Sequence, residues 1–218
     1  MMISSVAVAR SSTKWLLAIL VAGALIVPLA DAGMIDKDGM ADWEICAMCH
    51  GANGISAMAK FPVLAGQKAR YIVQQFGRFS RAERSNDGGQ MQGITTEVEL
   101  SALPAIADYF AGLAPPEAPT LDTAFLAANA DLLARGKQLF YEGSEGVLAC
   151  ASCHADKDSS APWIDGQHRE YVQKQLDDFA AGRRPSGDGN MAEIAANLSA
   201  EDRAASALFV WVTRLNRQ

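Results

Sequence analysis

The sequence predicts an all-α protein made of two tandem copies of one small fold. Three observations lead to this prediction: a cysteine–histidine unit that occurs twice, a longer repeat around it at a spacing of 100 residues, and apolar residues at helical rather than strand spacing. The chain has 218 residues, 50% of them hydrophobic, and domains usually contain roughly 100–150 residues. This length allows two small cores.

The N-terminal segment is typical of an export signal. Arg10 and Lys14 supply positive charge, residues 15–30 form an apolar run, and the sequence "ADA" has the small-x-small form that a signal peptidase cuts. We predict cleavage after Ala32, so that residues 1–32 are a signal peptide and the mature chain is periplasmic, with loose membrane association left open. The alternative is a retained membrane anchor, but the run is short against the roughly 20 apolar residues that span a bilayer.

Helical patterns follow in the first half of the mature chain. The segment "ADWEICAMCH" predicts a helix that runs into the first cysteine–histidine unit, and "QKARYIVQQFGRFSRAER" carries apolar residues on one helical face. A third helix is predicted for "SALPAIADYFAGL", where Pro104 is tolerated only within the first turn.

A proline-rich connector separates the two copies. The segment "LAPPEAPTLD", residues 113–122, contains three prolines and predicts a stiff, extended chain that a helix cannot cross. We therefore predict an N-terminal domain at residues 33–113, a linker at 114–120 and a C-terminal domain at 121–218.

The second half repeats the helical pattern. Helices are predicted for "NADLLARGKQLFYEG", for "HREYVQKQLDDFAAGRR" and for "SAEDRAASALFVWVTRL", the last with Ser199 and Asp202 as an N-cap signal. Between them, the glycine-bearing "YEGSEGVLAC" is interpreted as a surface loop. Strand signals are scarce.

The four cysteines and two of the three histidines form two identical C-x-x-C-H units, which are Cys46, Cys49 and His50 in "CAMCH" and Cys150, Cys153 and His154 in "CASCH". This unit is the attachment signature of c-type haem. A helical turn brings the two thiols to the vinyl groups of one porphyrin, and the adjacent imidazole comes under the iron as an axial ligand. The sequence therefore predicts two covalently bound haem c groups, with the cysteines as thioethers and the histidines as iron ligands.

Disulfides, a zinc site and a redox dithiol each account for less of the C-x-x-C-H pattern. Two disulfides would be usual in an oxidising compartment, but they leave the paired histidines without a role. A zinc site needs four ligands, whereas each unit offers three and only His168 remains to complete two shells. A thioredoxin-type dithiol requires neither the adjacent histidine nor a second copy.

The sequence around the two units is a repeat. The pairs that are identical at an offset of 100 include Pro62/Pro162, Gly66/Gly166, Gln67/Gln167, Tyr71/Tyr171, Gln75/Gln175, Phe79/Phe179 and Met91/Met191. The C-x-x-C-H units are offset by 104, so the first copy has four extra residues in "GANGISAMAK". The matched glutamines and tyrosines could donate to haem propionates or pack between helices, and the pattern does not choose between these roles.

The repeat also predicts a second axial ligand for each iron. Met91 and Met191 occupy matched positions after polar, glycine-rich loops, "SNDGGQM" and "SGDGNM". A methionine thioether opposite the histidine raises the haem potential, whereas a methionine elsewhere is commonly a core filler. Met48 lies inside the first attachment unit, and Met58 has no counterpart in the second half, so we assign packing to Met58.

These residues together resemble the cytochrome c4 family, which consists of two-domain, two-haem class I cytochromes c. The resemblance covers nearly all of the mature chain and rests on the paired C-x-x-C-H units, the paired "GQ-x-x-x-Y" helices, the "GRRPSGDGNM" loop and the final helix. It implies two tandem class I cytochrome c-like domains related by a pseudo-twofold, each with His/Met ligation. It also implies a periplasmic carrier of single electrons between respiratory complexes, for example from a quinol-oxidising complex to a terminal oxidase or reductase.

Charge and ligation restrict the partners. The net charge is −6 and the pI about 5.1, so nucleic acid is a poor candidate, and we expect redox proteins, including membrane respiratory complexes, to dock transiently. Saturated His/Met ligation would leave no position for a small-molecule substrate at the iron, and we expect no enzymatic activity. The alternatives are an electron-accepting subunit of a flavin or molybdenum dehydrogenase and, less in keeping with the methionines, a dihaem peroxidase.

Overall fold

The computed structural model describes residues 33–187, 189–215 and 217 of the chain. The predicted signal peptide, residues 1–32, and the charges and apolar run within it lie outside the described residues. Over the described ranges the secondary structure is helical, and its one extended pairing is an isolated bridge between Ser144 and Val147. The prediction of an all-α fold is confirmed.

Ten helices are present in the described part of the chain. In order they are α1 Glu44–His50, α2 Ala69–Ser80, α3 Gln90–Thr95, α4 Leu103–Gly112, α5 Thr123–Ala128, α6 Ala130–Tyr141, α7 Ala151–His154, α8 Arg169–Ala180, α9 Met191–Asn197 and α10 Ala200–Val212. The predicted helices correspond to α1, α2, α4, α6, α8 and α10. Helices α3, α5, α7 and α9 were not predicted, because segments of four to seven residues show too little periodicity. Helix α1 is equally short, but it was predicted from the longer segment that ends in the first attachment unit.

Local sequence signals explain where α4 and α10, the last helices of the two halves, begin. Ser199 is the N-cap of α10, and its hydroxyl accepts a hydrogen bond from the Asp202 backbone N–H at 3.0 Å, as the sequence predicts. Pro104 lies in the first turn of α4, where a missing N–H costs nothing. None of the described helices is both long enough and apolar enough to cross a bilayer.

Each half has its own apolar core. In the first half α1, α2 and α4 bury Ile45, Phe76, Ile106 and Phe110 in one cluster. In the second half α6, α8, α9 and α10 bury a separate cluster of Phe140, Val172, Leu176, Phe179, Ala195, Ala207 and Val210. The described residues from Gly33 onward nevertheless pack as one compact unit. The residue bounds of the two domains therefore remain a prediction.

The two halves contain the same backbone hydrogen bond at matched positions, and the connector packs against both. The N–H of Gly66 donates to the Phe110 carbonyl at 2.9 Å, and the N–H of Gly166 donates to the Val210 carbonyl at 2.8 Å. Residues 114–122 have no regular secondary structure. A Cβ atom at Gly66 would lie only 2.9 Å from Cγ of Pro115, and a Cβ atom at Gly166 would lie 2.9 Å from Cγ of Pro116. A larger residue at either position would clash with the connector. Glycine at both positions therefore allows the connector to pack closely against both halves.

Candidate functional site

Both histidines of the C-x-x-C-H units are buried and held by the same hydrogen bond. His50 Nδ1 donates to the Pro62 carbonyl at 2.8 Å, and His154 Nδ1 donates to the Pro162 carbonyl at 2.7 Å. This bond places the proton on Nδ1 and leaves the lone pair on Nε2 for a metal. Burial lowers the pKa of both imidazoles, which keeps them neutral. Each ring is thus prepared to act as an axial ligand through Nε2.

The four cysteines form no disulfide with one another. Helix α1 carries Cys46 and Cys49, and the short helix α7 carries Cys153 just after Cys150. Burial raises the pKa of the Cys46 and Cys150 thiols to about 11, so both are neutral at physiological pH. Among the described residues, no cluster of three or more histidine, cysteine or acidic side chains could hold a bare metal ion.

The two predicted methionine ligands lie in the first turns of short helices. Met91 is in α3, and its backbone N–H donates to Asp87 Oδ2 at 2.6 Å. Met191 opens α9, where Ser186 Oγ accepts the Ala192 N–H at 2.6 Å. The loop side chains thus accept N–H groups of the first turn of each helix and fix the backbone next to each methionine. Met48 and Met58, in contrast, are 56% and 51% exposed, so Met58 is not the packing residue that its sequence position indicates.

One cavity of about 860 Å³ is lined by the predicted site residues of both halves. Its walls include the residues predicted to attach and ligate the haem groups, namely Cys46, Cys49, His50, Met91, Cys150, Cys153, His154 and Met191. Apolar side chains of both cores form much of the remaining wall, among them Phe79 and Phe179. Sequence-distant residues are therefore gathered around a single space that is large and mainly apolar.

Two arginines place buried positive charge beside this cavity. Arg84 and Arg184 are each 6% exposed, and neither forms a salt bridge with a carboxylate of the described residues. Arg84 Nη2 donates to the Tyr171 hydroxyl at 2.9 Å, and Arg184 Nη2 donates to the Tyr71 hydroxyl at 3.0 Å, so each arginine binds the tyrosine of the other half. Buried charges without a counter-ion are costly. The two guanidinium groups therefore form a site suited to an anion.

The titration of neighbouring groups indicates the same positive potential. Burial alone would raise the pKa of Tyr171, but the charges of Arg84 and Arg184 outweigh it and hold that pKa below its ordinary value of 10.0. After burial, the charges of Lys68 and Arg184 contribute to lowering the pKa of His154. A haem fits these observations, because its apolar ring suits the cavity wall and its two propionates supply the missing negative charge. Arg84 was missed from the sequence, although its match with Arg184 at the offset of 100 is visible there.

The matched glutamines join the two halves directly. Gln67 Nε2 donates to the Trp163 carbonyl at 2.8 Å, and the Trp163 N–H donates to Gln67 Oε1 at 2.9 Å. Gln167 makes the same pair of bonds with Val63, at 3.0 and 2.8 Å. Both side chains thus form hydrogen bonds with the backbone of the opposite half. Of the two roles that the sequence left open, these glutamines thus serve packing between the halves.

A second, asymmetric contact ties the loop before Met91 to helix α8. Asn86 Nδ2 donates to Asp178 Oδ2 at 2.6 Å and to Gln175 Oε1 at 2.9 Å. Asp178, which is 3% exposed, also pairs with Lys174 and with Arg183, the latter at 2.8 Å. Burial alone would raise the pKa of this carboxyl, but its hydrogen bonds from Lys174, Asn86 and Arg183 hold it below the ordinary value of 3.8.

Replacing Asp178 by asparagine is expected to lower the free energy of unfolding by about 2 kcal/mol at neutral pH, because charge-assisted hydrogen bonds are lost. Since the folded-state pKa is depressed, the stabilisation is present above the unfolded pKa of about 3.9 and is lost as the pH falls through the folded value. The difference between the two proteins should therefore shrink below about pH 4. Chemical denaturation at several pH values measures it.

Asp108 provides the matched control for this substitution, since it is an exposed aspartate on α4. Asp108→Asn should change the stability by less than about 0.5 kcal/mol at every pH. Equal losses in the two variants, or a loss in Asp178→Asn that persists in acid, would contradict the role assigned to the buried carboxylate.

The chain is similar to cytochromes c4 in sequence and in structure. No family model matches it. The cytochrome c4 of Pseudomonas aeruginosa is 35% identical over 192 residues, which cover 84% of this chain and 90% of the relative. The crystal structure of reduced recombinant cytochrome c4 from Pseudomonas stutzeri matches with a TM-score of 0.66 and 27% identity, covering 82% of this chain and 99% of that one.

A relative with another name is also similar. The thiosulfate dehydrogenase electron acceptor of Thiomonas intermedia is 30% identical over 176 residues, which cover 77% of this chain and 76% of the relative. The fold, the paired sites and these similarities agree with one another. The chain belongs to the cytochrome c4 family.

Proposed function

We propose that this protein passes single electrons between redox proteins of the periplasm through two haem c groups, each held by one half of the chain. As a member of its family the chain is a dihaem electron-transfer protein and not an enzyme. The residue assignments are our proposal. The thioethers are formed by Cys46, Cys49, Cys150 and Cys153, and the axial ligands are His50 with Met91 and His154 with Met191.

The duplicated histidine geometry carries this proposal. In both halves a buried imidazole donates through Nδ1 to the carbonyl of a matched proline, and a matched methionine lines the same cavity. Such a bond fixes the tautomer and ring orientation of a ligating histidine and increases its basicity. A chance arrangement of core histidines would not be expected to reproduce the bond, the proline and the methionine twice.

The protein environment determines how the bound iron behaves. When bound, each haem supplies a one-electron ferric/ferrous couple. The thioether sulfurs of Met91 and Met191 favour the ferrous state, and the apolar wall of the cavity limits access of water to the site. Arg84 and Arg184 hold positive charge where we place the propionates. Since the side chains around the two sites differ, for example Phe61 in the first half and Trp163 near the second, we expect unequal potentials.

Export to the periplasm is part of the same proposal. The predicted signal peptide supports it, and so does haem attachment to paired cysteines, which suits a compartment outside the cytoplasm. We place cleavage after Ala32. The partners we favour are membrane respiratory complexes that dock transiently, for which the net negative charge of the protein provides steering toward basic surfaces.

A second candidate differs only in the electron donor. One relative is named as a thiosulfate dehydrogenase electron acceptor, and it is similar over 77% of this chain. This supports a variant of the proposal in which the donor is a periplasmic dehydrogenase instead of a respiratory complex. The haem chemistry is the same in both cases, so the donor must be identified by reduction kinetics with each purified enzyme.

An optical spectrum of the exported, purified protein, taken together with its intact mass, tests the proposed function. We expect a mass increase of two haem groups, a methionine–iron charge-transfer band at the long-wavelength end of the ferric spectrum, and no reaction of the ferrous protein with carbon monoxide. Carbon monoxide binding at one or both irons would reveal an open coordination position and would favour the peroxidase alternative. A mass with one haem would contradict the two-site assignment.

A further inference from the structure

The side chain of Glu97 is an isolated buried carboxylate in the first half. It follows helix α3 and is only 4% exposed. Its Oε1 accepts a hydrogen bond from the Met34 backbone N–H at 2.7 Å, but its Oε2 receives none from any described residue. Burying a carboxylate oxygen without a donor costs folding free energy. A positive or hydrogen-donating group next to Oε2 would remove this cost.

Lys37 supplies only part of this compensation. Its Nζ lies 3.7 Å from Glu97 Oε2, which is within salt-bridge range but beyond a hydrogen bond. The ammonium instead donates to the backbone carbonyl of Glu97 at 3.1 Å, and its side chain is 42% exposed. Oε2 therefore still lacks a donor.

Gly33 is the residue that stands directly beside this oxygen. A Cβ built on Gly33 would lie 2.5 Å from Glu97 Oε2, a distance that no larger residue could adopt without displacing the carboxylate. The nitrogen of Gly33 is two bonds, about 2.5 Å, from that position, so it lies within about 5 Å of the same oxygen, to which it donates no hydrogen bond as an amide. In the uncut chain this nitrogen is an amide that follows Ala32.

We propose that export processing between Ala32 and Gly33 creates an α-ammonium group that pairs with Glu97 Oε2 and completes the fold of the first domain. The inference rests on the signal cleavage given under the proposed function. Hydrolysis breaks the bond between the Ala32 carbonyl carbon and the Gly33 nitrogen. Water supplies the hydroxyl that remains on Ala32 and a proton to the new amine, which takes up a second proton from solvent at neutral pH.

The pair would stabilise a segment next to the first proposed haem ligand. The Glu97 backbone N–H donates to the Ile94 carbonyl at 3.0 Å, which joins the backbone of Glu97 to the end of the helix that carries Met91. The next residue, Val98, is buried in the core of the first half. A cut chain therefore fastens its own N-terminus to the α3–α4 connection, and the signal peptide must leave before this contact forms.

The reactivity of the N-terminal amine tests the pairing. The exported holoprotein is first examined by intact mass, which should correspond to a chain that starts at Gly33 with two haem groups. Its α-amine is then labelled with an amine-reactive reagent near pH 6.5, well below the ordinary α-amine pKa of about 7.7–8.0, and the rate is compared among the wild type, Glu97→Gln and Glu99→Gln. Glu99 is exposed and lies two positions further on, so its substitution removes the same charge without altering the buried site.

We expect the wild type and Glu99→Gln to label about tenfold more slowly than Glu97→Gln, because an ion pair that shifts the amine by one pKa unit reduces its reactive fraction tenfold. Equal rates in all three proteins would overturn the pairing while leaving the cleavage intact. A mass that retains residues 1–32 would overturn this inference through its premise. Neither result bears on the haem spectrum, which tests electron transfer separately.

A second variant covers the case in which Glu97→Gln fails to fold. One alanine is inserted before Gly33, and the new N-terminus is verified by mass. Glu97 is retained, but the ammonium is moved by one residue, up to about 3.6 Å of extended chain. We expect this variant to label as fast as Glu97→Gln. Labelling as slow as in the wild type would contradict a specific contact with Gly33.

Discussion

Replacing Met91 by alanine is expected to remove about half of the methionine–iron charge-transfer absorbance of the oxidised protein, because we assign one of two iron–sulfur bonds to this residue. Met191→Ala should remove the other half, and the double variant should have none. An alanine leaves the iron with an open position, so the ferrous form of each single variant should bind carbon monoxide at one haem. The potential of the altered haem should also fall, since the thioether favours ferrous iron.

Met58→Ala is the matched control for this experiment. Met58 belongs to the same half, but it is 51% exposed and lies away from the cavity. Its substitution should leave the band, the potentials and the lack of carbon monoxide binding unchanged. A full-strength band in Met91→Ala would show that another residue ligates the first iron, and the assignment would be wrong.

Replacing Gln67 by alanine is expected to lower the free energy of unfolding of the holoprotein by about 2–4 kcal/mol, because two buried backbone groups of Trp163 lose their partners at a cost of roughly 1–3 kcal/mol each. The amide of Lys68, which donates to Gln67 Oε1 at 3.0 Å, loses its acceptor as well. Gln167→Ala should have a similar effect through Val63. Guanidinium denaturation followed by circular dichroism measures both losses.

Gln138→Ala provides the comparison for the glutamine variants. Gln138 is an exposed glutamine on α6 whose side-chain bond is to Arg135 on the same helix. We expect a change below about 0.5 kcal/mol for this substitution. A loss of that small size in Gln67→Ala would mean that the contact between the halves does not depend on the exchanged glutamines.

The attachment units are the part of the site that sequence predicts most directly. A C-x-x-C-H unit is short, and its spacing alone brings two thiols and an imidazole to one face of a helical turn. The methionines required the repeat as well, since an isolated Met191 is indistinguishable from a core residue. The structure brings all of these residues to one cavity. Their roles as ligands stay a prediction that the spectra test.

The long helices were also predictable, because apolar periodicity, the Ser199 cap and the position of Pro104 are local signals. Short helices were not, since α3 and α9 depend on hydrogen bonds to Asp87 and Ser186 and on packing against α2 and α8. The role of Met58 was wrong for a related reason. A sequence position without a counterpart does not reveal whether the side chain faces the core or solvent.

The sequence by itself determined the helical class, the duplication and the two haem attachment units, because each is written in residues that are close together in the chain or that recur at a constant offset. Only the tertiary structure decided which groups meet across the halves. Gln67 bonds to Trp163 and Arg84 to Tyr171, pairs separated by 96 and 87 positions. Such contacts depend on how two folded units are placed against each other, and this placement leaves no periodic signal in either partner's neighbourhood. The carboxylate of Glu97 is buried for the same reason, by the return of the Gly33 segment to the α3–α4 connection about 60 residues away.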